Sequence, residues 1–148
     1  MKKIFALFIS LIFLSLPSLA EPLQIQTSTQ TLVFDVEIAD TEETRAMGLM
    51  NRPSLAPNSG MLFIFDVLSL PEFWMKDTKI SLDMIYIGED GVIDGIHENA
   101  IPYDETPISP PAPALAVLEI AGGSSKTLGI AKGDKVIHQI FEKDLKSK

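Results

Sequence analysis

Short apolar runs separated by turn residues recur along this chain. Residues 31–39 carry an apolar side chain at every second position, which predicts a half-buried strand. Further segments of strand length lie at residues 61–65, 72–76, 80–87, 92–96, 115–120 and 135–141. Helical spacing and capping residues predict short helices at residues 42–50 and 124–128. About seven short strands and two short helices indicate a β-dominated α+β domain. Its simplest form is a small, partly closed antiparallel barrel, because closure removes exposed strand edges.

Two stretches refine this picture. Residues 80–87 become apolar on both faces towards their end, which predicts a central strand, and Gly88 to Gly91 predicts a hairpin after it. Residues 102–113 hold five of the ten prolines. Proline cannot donate a hydrogen bond to a sheet, so this stretch is expected to form an extended surface loop.

The first twenty residues have the layout of a secretory signal. Lys2 and Lys3 precede an apolar run from Ile4 to Leu16, and Ser18-Leu19-Ala20 supplies the small residues that a signal peptidase reads. We therefore expect cleavage after Ala20 and a periplasmic or secreted protein. The remaining chain divides into an N-terminal extension (residues 21–30), one globular domain (31–142) and a frayed tail (143–148).

Composition excludes several classes of partner. The chain has 20 acidic and 12 basic residues, and removal of the signal takes away two lysines, which leaves 10 basic residues and a formal charge of −10. An acidic protein is poorly suited to nucleic acid or to anionic membrane surfaces. No later apolar run reaches the length of about 18 residues that a membrane span needs, so no stable membrane insertion is expected after cleavage. Cysteine is absent, which excludes disulfides.

Four motifs together resemble a known family. They are Gly48-Leu49-Met50 with Arg52, Gly60-Met61-Leu62-Phe63, Phe73-Trp74-Met75-Lys76 and Leu82-Asp83. In this order and spacing they are similar to domain of unknown function 192, a bacterial and archaeal family whose tail also matches Val117-Leu118-Glu119, Gly129-Ile130 and Gly133-Asp134. Asp77 departs from the family's usual Asn, and residues 121–123 are a variable form. The resemblance implies a compact β-rich fold and frequent export, and it brings no established activity.

A binding site is the first functional hypothesis. Asp83 lies in the predicted central strand, where a carboxylate needs a partner because an unpaired buried charge is very costly. Basic residues are absent from 80 to 125, so the partner is either a cation from the earlier group or a set of backbone amides. A flat aromatic beside charged donors suits a small polar or anionic ligand, or a peptide of an envelope protein. The predicted binding residues are Arg45, Arg52, Trp74, Lys76, Thr78 and Asp83.

Three other hypotheses stay open, although the sequence favours a protein that is not an enzyme and has no cofactor. Asp83 and Glu119 could act as acid and base in an envelope saccharide hydrolase or lyase. Thioethers of Met47, Met50 and Met75 could bind Cu(I), although methionine is also an ordinary core residue. A purely structural partner of an envelope protein is the last hypothesis. No nucleophile motif is present, and two histidines make a zinc site a poor match.

Overall fold

The computed structural model describes residues 20–142. The predicted signal peptide, apart from Ala20, and the predicted tail lie outside these residues. Seven strands and two short α-helices form the described domain, which confirms the β-dominated α+β class. The strands are β1 (Glu21–Gln26), β2 (Thr31–Ala39), β3 (Ser59–Ser69), β4 (Leu82–Ile87), β5 (Ile93–Ala100), β6 (Ala114–Ala121) and β7 (Lys135–Ile137). The helices are α1 (Glu42–Met47) and α2 (Ser124–Leu128), and a 3-10 helix spans Gln139–Phe141.

All seven strands belong to one curved sheet, in the order β5-β4-β6-β3-β2-β1-β7. Neighbours are antiparallel except β2 and β3, which run parallel because α1 carries the chain back between them. The two edges approach each other, since Val92 forms a bridge with Lys135 and the Val136 amide donates to the Gly91 carbonyl at 2.8 Å. The sheet is therefore a partly closed barrel, as predicted, with one parallel pair.

Several boundaries differ from the sequence prediction. Residues 21–30, expected to form an extension, contain β1, which pairs with both β2 and β7 inside the sheet. The last predicted strand stops after Ile137 and continues as the 3-10 helix. Strand β3 runs to Ser69, beyond the predicted Phe65. The segment after Pro71 forms a single bridge, between Phe73 and Ile108 of the proline-rich loop.

Two apolar clusters lie on opposite faces of the sheet. One contains side chains from all seven strands, such as Leu23, Leu62 and Ile85, and fills the inside of the curve. The other lies on the outer face of β3, β4 and β6, where Met75 and Leu49 cover it from outside the sheet. Every residue of β4 is buried for this reason, and the prediction of a central strand is confirmed.

Candidate functional site

A cavity of about 290 Å³ opens on the outer face of the sheet, within the second cluster. We call it the Glu119 cavity, after the acidic residue in its wall. Residues 45–50 of α1 and the turn after it form one side, and residues 71–74 with Thr78 form the other. The sheet contributes Phe63, Phe65, Leu82 and Glu119.

Local sequence fixes the helical wall of the cavity. Thr41 caps α1, since its side chain accepts from the Thr44 amide and the Thr44 side chain accepts from the Thr41 amide. The helix ends at Gly48, whose φ of +48° is rarely adopted by other residues. A Cβ on Gly48 would lie 3.3 Å from the Phe63 ring, so glycine also lets the helix end lie against β3.

Glu119 is the chemically unusual residue of the cavity. It lies in β6 between Met84 of β4 and Met61 of β3, and only 4% of its surface is exposed. Within residues 20–142 its carboxyl group has neither a hydrogen-bond partner nor a salt bridge. Burial raises the pKa of Glu119 to about 8. An unpaired buried acid of this kind is expected at functional sites more often than in a structural core.

Two further polar groups lie on the same side of the sheet. The Tyr86 hydroxyl is buried without a hydrogen-bond partner among the described residues. Burial, assisted by the negative charge of Glu119, raises the pKa of Tyr86 to about 12. Thr78 lines the cavity and donates its hydroxyl to the Lys76 carbonyl at 3.0 Å, which leaves its oxygen able to accept a hydrogen bond.

Aromatic side chains supply much of the remaining wall. Phe63 and Phe73 pack edge to face, with ring centroids 5.2 Å apart. Phe65 lies beside them in the lining, and Trp74 stands at the rim with 51% of its surface exposed. The cavity thus combines a mostly apolar lining with a few polar groups, which is the usual make-up of a small-molecule site.

Among the described residues, none of the three predicted cations forms a salt bridge with Glu119. One guanidinium nitrogen of Arg45 donates to the carbonyls of Asp40 and Ile64 at 2.7 and 2.8 Å, and the group lies 5.5 Å from the Phe65 ring centroid. Arg45 still lines the cavity.

Arg52 and Lys76 do not line the cavity. Arg52 forms a bidentate ion pair with Glu37, with N–O distances of 2.5 and 2.7 Å. The hydrogen bonds to Glu37 raise the pKa of Arg52, although its partial burial acts in the opposite direction. The Lys76 ammonium group lies 5.7 Å from the Trp74 ring centroid. The structure therefore brings Arg45, Trp74 and Thr78 together at the cavity and leaves Arg52 and Lys76 outside it.

Asp83 has a different environment from the one expected of a ligand-binding residue. Its carboxylate accepts from the amides of Asn99, Gly123 and Ser125 at 2.8 to 2.9 Å, and from the Ser125 hydroxyl. Burial alone would raise the pKa of Asp83, but these hydrogen bonds outweigh it and hold the pKa below its ordinary value. Of the two partners considered from sequence, backbone amides and not the cations satisfy this acid.

The register of the sheet also separates Asp83 from Glu119. Asp83 lies opposite Ile120, and Glu119 lies opposite Met84. Because successive side chains of a strand point to opposite faces, Asp83 points to the inner cluster and Glu119 to the outer one. An acid–base pair built from these two carboxylates is incompatible with this geometry.

The three methionines considered as Cu(I) ligands do not all lie at the cavity. Met47 and Met50 line the cavity, and Met75 is fully buried in the outer cluster without lining it. Among residues 20–142, no group of three or more His, Asp or Glu residues could hold a metal ion.

From the sequence, Glu119 had a chemical role only as the partner of Asp83, and Phe63, Phe65 and Tyr86 had no role in a site. One signal was available, because Glu119 is the single charged residue between Ala114 and Ala121. A charge inside an otherwise apolar strand indicates either a structural pair or a functional site. Which of the two applies depends on contacts distant in sequence.

Fold and cavity together define a small β-dominated domain with an acid-containing cavity on the outer face of its sheet. A family profile, DUF192 (uncharacterized ACR), matches residues 23–138. The chain belongs to this family, which confirms the resemblance seen in its motifs.

Two solved structures are similar to this chain. A protein of unknown function from Novosphingobium aromaticivorans is 42% identical, covering 80% of this chain and 85% of that one, with a TM-score of 0.79. A protein from Sinorhizobium meliloti described as a "putative transcription regulator" is 38% identical, covering 83% of this chain and 96% of that one, with a TM-score of 0.80. No protein with a curated description matches the chain. In the part of the chain described, no helix has the length and apolar character required to cross a bilayer.

Proposed function

We propose that this protein is a binding module for a small organic molecule, and that the Glu119 cavity is its binding site. The observation that carries the proposal is Glu119, a residue with 4% of its surface exposed that lines the cavity and has no hydrogen-bond or salt-bridge partner for its carboxyl group within residues 20–142. Buried polar groups in folded proteins nearly always have a hydrogen-bond partner, so a group without one calls for an explanation. A ligand that supplies the missing hydrogen-bond or charge partner would explain why Glu119 has none.

The lining supports a ligand of modest size. A volume of about 290 Å³ lies at the lower end of the range for small-molecule sites. Trp74 at the rim gives such a ligand a flat apolar surface that remains accessible to solvent. The N-terminal sequence supports a proposal that binding takes place outside the cytoplasm, after removal of residues 1–20.

The charge of this chain does not favour the role of transcription regulator that the description of the Sinorhizobium meliloti protein names. A transcription regulator that contacts DNA needs a basic surface, because phosphate contacts dominate the affinity. This chain carries a formal charge of −8, which favours small molecules over nucleic acid as partners.

Blocking the cavity mouth tests the proposal. Ala46 is exposed on α1 and lines the cavity, so Ala46→Trp should fill the entrance while the helix is kept. Glu43→Trp on the same helix is the matched control, because Glu43 is exposed and lies outside the lining. Thermal unfolding would be followed with acetate, inorganic phosphate, glucose, choline, benzylamine and benzyl alcohol as probes.

At least one of these probes is expected to raise the Tm of the unmodified protein and of Glu43→Trp, and to leave Ala46→Trp unchanged. A ligand that binds only the folded state stabilises it by mass action, so the shift should grow with probe concentration. If no probe shifts the Tm, or if every shift persists in Ala46→Trp, this cavity is not the binding site.

A further inference from the structure

We infer that the Glu119 cavity selects organic ammonium ions, with the Glu119 carboxylate as the anionic partner and aromatic rings around the cationic group. This inference deepens the proposed function and rests on it. It reverses the sign of ligand charge that the sequence suggested, since the basic residues near Trp74 had favoured an anion.

Charge is the first argument. Arg52 is paired with the Glu37 carboxylate, and Arg45 donates to two neutral carbonyl oxygens and not to Glu119. In residues 20–142 no cation forms a salt bridge with Glu119. When this carboxyl group is ionised it therefore lacks a directly bonded counter-ion, and a bound cation would supply one. An anionic ligand would instead face repulsion in a setting of low dielectric constant.

The second argument is the aromatic lining of the cavity. Phe63, Phe65, Phe73 and Trp74 all line the cavity. The faces of aromatic rings attract cations, and aromatic cages are a recurrent way to bind quaternary ammonium groups. The chain already uses this interaction twice here, with Arg45 over Phe65 and Lys76 over Trp74. A neutral hydrocarbon would gain from the same rings but would not use the carboxylate.

The third argument is the hydrogen bonding of Thr78. An anion site needs several N–H or O–H groups that point at the ligand. The Thr78 hydroxyl, which lines the cavity, already donates to the Lys76 carbonyl and can only accept from a ligand. Thr78 therefore offers a ligand in this cavity an acceptor and not a donor, which suits a cation better than an anion.

Binding should be coupled to release of a proton. A cation stabilises the ionised form of Glu119, so it binds best when the carboxyl group has lost its proton. Burial raises the pKa of that group to about 8, so affinity should fall about tenfold per pH unit below that value. The other ionisable groups that line the cavity are Arg45 on α1 and Glu72 in the loop. Tyr86 on β4 does not line it but interacts electrostatically with Glu119, and its pKa of about 12 lies above the range of the test. Asp83 faces the opposite side of the sheet.

Choline and 3,3-dimethylbutan-1-ol are suitable probes, because they share a shape and differ in a single positive charge. Neither probe titrates between pH 6 and pH 9, so any change in affinity reports on the protein. Titration calorimetry should show choline binding at pH 9, at least tenfold tighter than the neutral alcohol, and a steep loss of affinity towards pH 6. Glu119→Gln should remove both the preference and the pH dependence. Trp74→Leu, at an exposed position, should weaken choline binding severalfold and keep the pH dependence.

The outcomes distinguish this inference from the proposed function. If the alcohol binds as tightly as choline and both are lost in Ala46→Trp, the cavity is a binding site but does not select cations. If choline does not bind at pH 9, or if its preference survives in Glu119→Gln, the inference is overturned. Weak choline binding that is equal in Ala46→Trp and the unmodified protein would overturn it as well.

Discussion

Replacing Glu119 with glutamine should make the protein more stable at alkaline pH than the unmodified chain. Glutamine keeps the shape of the side chain and removes its ionisation. In the unmodified protein, the pKa of Glu119 is about 8 in the folded state and 4.5, the ordinary value, in the unfolded chain. The folded state therefore binds this proton more tightly. Its contribution to stability is fully present below pH 4.5 and is lost as the pH rises through 8.

The magnitude follows from the two pKa values. Between them, each pH unit lowers the free energy of unfolding by about 1.4 kcal/mol. From pH 5 to pH 9 the loss amounts to about 4 kcal/mol, a large part of the 5–15 kcal/mol typical of a folded domain. Glu119→Gln should therefore lie within about 1 kcal/mol of the unmodified protein at pH 5 and about 4 kcal/mol above it at pH 9.

Urea unfolding followed by circular dichroism at pH 5, 7 and 9 measures this difference. Stopping at pH 9 keeps Tyr86, with its pKa of about 12, out of the comparison. Glu43→Gln is the matched control, because Glu43 is an exposed residue of α1 and its variant should follow the unmodified protein at every pH. Parallel pH profiles for Glu119→Gln and the unmodified protein would show that Glu119 is not a buried acid without a partner.

Two other substitutions test the assignment of the remaining predicted residues. Asp83→Ala should lower the free energy of unfolding by about 3–5 kcal/mol, because it leaves three backbone amides without an acceptor. Ser125→Ala removes one of the four donors and should lower it by about 1 kcal/mol. Equal effects of the two substitutions in urea unfolding would contradict this account. Arg52→Ala should lower the free energy of unfolding by about 1 kcal/mol or less, because the ion pair of Arg52 with Glu37 is partly exposed. The same substitution should leave the affinity for choline unchanged. A tenfold loss of affinity in calorimetry would show that Arg52 takes part in binding.

The strands could be predicted because their signals are local. Alternation over residues 31–39 specifies β2, and the two apolar faces of residues 80–87 specify β4 as a central strand. Strand β1 was overlooked although Leu23 and Ile25, both fully buried, alternate with glutamines. A proline within a run counts against a strand, and Pro22 lies at the second position of this one.

The site could not be predicted to the same extent, because its contacts are not local. The donors to Asp83 are 16 to 42 residues away in the chain. Whether Asp83 and Glu119 share a face depends on the register of β4 against β6, and a shift by one residue would reverse the answer. Sequence reasoning placed a charged acid in a central strand correctly and could not choose between amides and cations as its partners.

The two buried acids show how structure separates these roles. Asp83 and Glu119 lie on adjacent strands and are both shielded from solvent, yet their pKa values move in opposite directions. Asp83 has four donors and joins β4 to the β5 end and to α2, so its charge contributes to the fold. Glu119 has no partner within the described chain, so its ionised form lowers stability. Glutamine or methionine would fit the same position without that penalty. An acid that weakens the fold and faces a cavity is better explained by the charge it offers to a ligand than by anything it does for the barrel.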